Sequence, residues 1–188
     1  MLILPILLAF QTAEGSGYKT NDFALLGSDG KKYTVKTLTK GKPVFLVNLY
    51  DMEGSQGIAD LNRLSQMTMG KVRVVGLTTL STRGRGLARV KELGVRFLVL
   101  GSDDPYSILD IVPRLVIKEA GSVSYLSNTL LLPDRRLTHV WEGYNRWTLK
   151  RMSQDALKYG HVRLKIDFSR FPEKLQRGYG EFYGLGPG

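Results

Sequence analysis

An α/β fold with a central mixed β-sheet, helices on both faces, an N-terminal β-hairpin and a C-terminal extension is what this sequence predicts, on three observations. Val44 to Leu64, VFLVNLYDMEGSQGIADLNRL, passes from a continuous apolar run through a Gly-rich turn into a segment with Ile58, Leu61 and Leu64 at helical spacing. A second β-branched strand, Lys71 to Thr79, follows that helix, and two strands joined through a helix lie parallel. Turn signals at Ser28-Asp29-Gly30 and Pro133-Asp134-Arg135-Arg136 mark antiparallel hairpins towards either end. At 188 residues with 43% hydrophobic content, the chain supplies one buried core.

Met1 to Phe10, MLILPILLAF, is apolar from its second residue. Its length suits the h-region of a secretory signal, about 7–15 residues, and falls short of the roughly 20 that span a membrane. The expectation is a signal peptide and linker over 1–17, cleaved after Ala13, an extracytoplasmic location and no transmembrane span; an N-terminal strand or disordered start is the alternative. A main domain over 18–160 and an extension over 161–188 complete the division. In the main domain, Phe23 to Leu26 and Tyr33 to Val35 flank the Asp-Gly turn as two strands, because Asp-Gly supplies the positive φ of a tight hairpin. Gly41-Lys42-Pro43 then breaks the chain before Val44 to Leu49, a strand buried on both faces.

Asp51, Glu53 or Ser55 caps the helix that follows, a side-chain oxygen or negative charge satisfying its free N–H groups. After the strand at 71–79, the loop Ser81 to Gly86 leads into a helix with Leu87, Val90 and Leu93, closed by Gly94. Val95 to Leu100 is the next strand. Thr129 to Leu132 and Leu137 to Trp141 form the second hairpin, and Gly143-Tyr144 introduces the last helix. In the extension, Val162, Leu164, Ile166 and Phe168 alternate with Arg163, Lys165 and Asp167, the pattern of a half-buried strand at a sheet edge. A flexible Gly/aromatic tail is expected beyond Arg177.

The hairpin with Asp-Gly, then Gly-Lys-Pro, then VFLVNLY, and later a closing hairpin with Gly-Tyr before the last helix, resembles the redoxin branch of the thioredoxin-like superfamily, which includes peroxiredoxins and extracytoplasmic thiol-disulfide oxidoreductases. The resemblance covers roughly Asp22 to Tyr159 by element order. It implies a Cys-x-x-Cys or a lone peroxidatic Cys after the central strand, and an ungapped match lays Gly54 and Gly57 on the two cysteine positions, with Ser55 between them. It also implies a cis-proline before the second hairpin, where this chain has Leu126-Ser127-Asn128. The chain contains no cysteine. Thiol oxidoreductase and peroxidase chemistry are excluded by that alone.

What remains is an interaction or accessory module, redox-inactive, in which Leu126, Ser127 and Asn128 line a groove whose backbone edge pairs with an extended peptide. Two alternatives stay open. One is a thiol-independent enzyme using the Asp51/Glu53 turn or the Arg83 to Arg89 loop; Ser55 has no histidine near it in sequence to serve as its base. The other is a polyanion-binding protein. The formal charge is +10, and residues 61–100 carry eight Lys/Arg against one Asp/Glu, so that block holds a surplus of seven. Within it Arg83, Arg85 and Arg89 are candidate anion ligands beside the glycines of STRGRG. No cofactor is expected and no metal, since His139 and His161 are the chain's two histidines and no thiolate accompanies them. Partner identity and oligomeric state are not written in the sequence.

Overall fold

The computed structural model describes residues 19–49, 55–79, 90–102, 122–124, 128–141, 143–176 and 179–181. Its strands are β1 Leu25–Gly27, β2 Lys32–Tyr33, β3 Val44–Asn48, β4 Arg73–Thr79, β5 Leu98–Ser102, β6 Ser122–Ser124, β7 Asn128–Leu131, β8 Leu137–Trp141 and β9 Tyr179–Glu181. Its helices are α1 Val35–Thr39, α2 Ser55–Met67 and α3 Arg146–Gly160. Seven strands make one sheet in the order β2-β1-β5-β4-β3-β7-β8. Within it β3 runs parallel to β4 and β4 to β5, while the remaining neighbours are antiparallel. The α2 crossover explains the parallel pair, since a tight turn cannot join strands pointing the same way.

Each face of the sheet buries its own core. Val44 and Leu46 of β3 join Val35 and Leu38 of α1 on one face. Phe45 and Val47 point the other way, against Leu61 and Leu64 of α2 and Leu149, Met152 and Ala156 of α3. All four β3 side chains are at most 1% exposed, so the unbroken apolar run of the sequence is a strand covered on both sides. The fold class is therefore α/β with a mixed sheet, as expected.

Several boundaries differ for local reasons. The first hairpin forms around Gly30, at φ +80°, but its second strand ends at Tyr33, and Val35 begins a helix instead. Thr34 and Thr37 make a reciprocal capping box there, a Thr-x-x-Thr form less conspicuous than the acidic version. β5 begins at Leu98 rather than Val95 because α2 holds the preceding residues: Asn62 Nδ2 donates to Gly94 O at 2.8 Å, and its Oδ1 accepts from Arg96 N at 2.7 Å. Gly94 itself, at φ +67°, closes the preceding helical turn as predicted.

The extension departs further. Residues 161–167 are not an edge strand: they belong to no ladder, and they lay Val162, Leu164, Ile166 and Phe168 against the α2/α3 core while Arg163, Lys165 and Asp167 face solvent. The alternation identified the inward side chains correctly. What it could not identify was the surface beneath, which is side chains of α2 and α3 rather than a strand edge. Beyond Arg177, Tyr179–Glu181 is not a loose end but β9, paired antiparallel with β6. No helix among the described residues is long and apolar enough to cross a membrane.

Candidate functional site

The end of β3 and the start of α2 are the place where a strand-turn-helix presents chemistry, and no cysteine stands there. Gly57 is buried in the first turn of α2, beside Ile58, and no acidic residue occupies that turn. Ser55 is the first residue of the helix. Asp51, Glu53 and Gly54 lie outside the described residues, and so do Leu126 and Ser127. Neither histidine sits on α2 or β3: His139 is in β8, and His161, at φ +53°, ends α3.

Asn128 brings the second half of the fold to this place. It opens β7 opposite Val47, one residue before the end of β3. Its side chain, on a residue only 1% exposed, donates from Nδ2 to Gly143 O at 2.6 Å. Tyr144 follows, equally buried, and its hydroxyl donates to Asp60 Oδ2 on α2 at 3.0 Å. The other oxygen of Asp60 accepts from Arg63 Nη1 at 2.8 Å. Burial and then the Asp60 carboxylate push the Tyr144 phenol far above its ordinary range. A carboxylate already accepting from two donors, beside a phenol that stays protonated, is a brace rather than an acid–base pair.

The backbone at Asn128 and Thr129 is already paired on both sides. β7 lies between β3 and β8, with Asn128 opposite both Val47 and Trp141 and Thr129 opposite both Leu46 and Val140. The backbone of Asn128 and Thr129 is therefore an interior ladder and offers no edge to an added strand.

The basic block is divided. Arg83, Arg85 and Arg89 are outside the described residues. Of the others, Arg63 stacks over Phe171 on the α2/α3 side, with its guanidinium carbon 6.0 Å from the ring centre, whereas Arg73 lies 5.7 Å from the Tyr33 ring on the opposite face. The described members do not form one patch.

His139 does have a partner that sequence reasoning missed. Its Nδ1 lies 2.7 Å from Asp155 Oδ2 on α3, with the Asp155 side chain 8% exposed. A bulge positions it: Thr129 pairs with Val140 and Leu131 with Leu137, so β8 places three steps against two of β7, and Thr138 and His139 share one space. No spacing rule foretells a contact between a strand and a helix. Among the described residues no group of three His, Asp or Glu side chains could hold a metal ion.

No protein-family model and no curated protein matches the sequence. Solved structures do match. A thiol:disulfide interchange protein of the thioredoxin family from Chlorobium tepidum is 15% identical over 77% of this chain and 99% of its own, with a TM-score of 0.57. The exposed lipoprotein thioredoxin of Streptococcus pneumoniae is 19% identical over 71% of this chain and 99% of its own, with a TM-score of 0.55. A peroxidoxin from Mycobacterium tuberculosis is 15% identical over 68% of this chain and 85% of its own, with a TM-score of 0.52. At such identities the likeness is one of fold.

Proposed function

Starting from a thioredoxin-like fold that contains no cysteine, we infer that this chain is a binding or accessory module, redox-inactive, which works outside the cytoplasm. The observation that carries the reading is the absence of any thiol in a chain with a thioredoxin-like fold. Asn128 at the start of β7 holds Gly143, and the next residue, Tyr144, is held to Asp60 of α2. A fold maintained around a site without its nucleophile retains shape, and shape suffices for recognition. Export is favoured by the apolar stretch Leu2 to Phe10 and by similarity to a protein described as an exposed lipoprotein.

The docking place we propose for an extended peptide comprises Gly54, Ser55 and Gly57 together with Leu126, Ser127 and Asn128. The test is a titration of the isotopically labelled chain with a reduced and alkylated polypeptide, followed by amide chemical shifts. Shifts should concentrate at 54–57 and 126–128, survive moderate salt and disappear in Ser127→Trp. Shifts scattered over basic residues and abolished by salt would identify a polyanion site instead and overturn the reading.

A further inference from the structure

The outward face of α3 joins exposed apolar side chains to cations. Leu149, Met152, Asp155 and Ala156 are its buried side, and at 3.6 residues per turn Trp147, Lys150, Arg151, Gln154, Leu157 and Lys158 fall on the other. Trp147 is 56% exposed and Leu157 45%, two large apolar side chains in solvent on a helix that has ample core to bury others. Lys150 Nζ lies 6.0 Å from the Trp147 ring centre, so cation and indole stand side by side. His161, Arg163 and Lys165 continue the exposed row along the extended chain after the helix.

Negative charge is nearly absent from this surface. Residues 146–170 contain seven Lys/Arg and two Asp. Asp155, the one carboxylate of α3, is turned inward onto His139. Asp167 is exposed, but its Oδ1 accepts from Ser169 N and Oγ at 3.1 and 2.6 Å. Glu173 stands 3.9 Å from Arg146 at the start of the helix. Lys150, Arg151, Arg163 and Lys165 have no carboxylate partner among the described residues.

We propose that this face, α3 with residues 161–165, docks flat on an anionic phospholipid surface. The cations meet phosphate headgroups, and Trp147 and Leu157 enter the boundary between headgroup and acyl chain, where an amphipathic ring or a leucine gains from leaving water. The same-sign charge disfavours a second copy as occupant. Nucleic acid would satisfy the cations, but a phosphodiester backbone offers nothing to Leu157. This inference is independent of the proposed peptide docking.

The test uses the full chain with vesicles of phosphatidylcholine alone and with phosphatidylglycerol added at about 3 parts in 10, read by co-sedimentation and by tryptophan emission. Of the two tryptophans, Trp141 is 5% exposed, so Trp147 carries the response to solvent. Binding should require the anionic lipid and shift emission to the blue. The double variant Lys150→Glu, Arg151→Glu should partition at least about tenfold more weakly while keeping its circular dichroism. Partitioning equal on both vesicle types, or unchanged by the reversal, overturns the proposal, because the apolar N-terminal run would then explain it. So does an absent blue shift, a readout that needs no variant. Binding of a short DNA duplex through the same residues, without vesicle binding, also overturns it.

Discussion

At Gly76, in the middle of β4, an added Cβ would press into the Leu49 side chain and stand 3.2 Å from Val99 Cγ2, and both neighbours are buried. Gly76→Ala should therefore lower stability by about 1–3 kcal/mol, seen as a reduced urea midpoint with an unchanged m-value. Sequence alone placed this residue in the strand KVRVVGLTT but gave no sign that Leu49 crosses over it. The same holds for the brace at the candidate site. Tyr144 was legible as the residue before the last helix, yet its acceptor, Asp60, lies 84 positions away, and no periodicity links them. Residues whose role is set by their own backbone were easier to read. Gly30 and Gly94 were recognisable because each needs a positive φ.

Helices here are specified at their ends as much as along their faces. Asn145 accepts from the backbone N–H of Trp147 at 3.0 Å and of Thr148 at 2.9 Å, while the Thr148 hydroxyl accepts from Asn145 N. Asn145→Ala should cost about 1 kcal/mol by leaving two helix N–H groups without their acceptor. Chemical denaturation would register it, and Asn145→Asp should restore most of the loss. The apolar spacing of α2 made it visible in the sequence, and Gly143-Tyr144 announced α3. At five residues, α1 is too short for a period, and its cap joins two threonines, so only its first residue, Val35, was assigned, to the strand before it. The extended stretch 161–167 failed in the opposite sense: a period of two fixes which side chains turn inward, not whether hydrogen bonds flank them.

For the whole molecule, order of elements was the legible quantity, because a buried strand, a crossover helix and two hairpins leave few arrangements. The chemistry was legible only as an absence. Folding has nevertheless set a pH limit. Burial and Asp60 raise the Tyr144 phenol, and the hydrogen bond to Asp29, then burial, raises that of Tyr33. Above pH 10.0, the ordinary value for both, the unfolded chain releases these protons and the folded one keeps them. Stability is full below that pH and falls as pH rises through it. Between about pH 9 and 11, Tyr144→Phe should lose about 1 kcal/mol less than the parent, measured by urea unfolding at each pH. The two outer strands of the described sheet have a different consequence. β2 is two residues long, and β8 is broken by its bulge at Thr138 and His139. Neither rim offers a regular row of free amides for a neighbouring molecule to extend, so at high concentration the sheet gives fibrils no template to grow from.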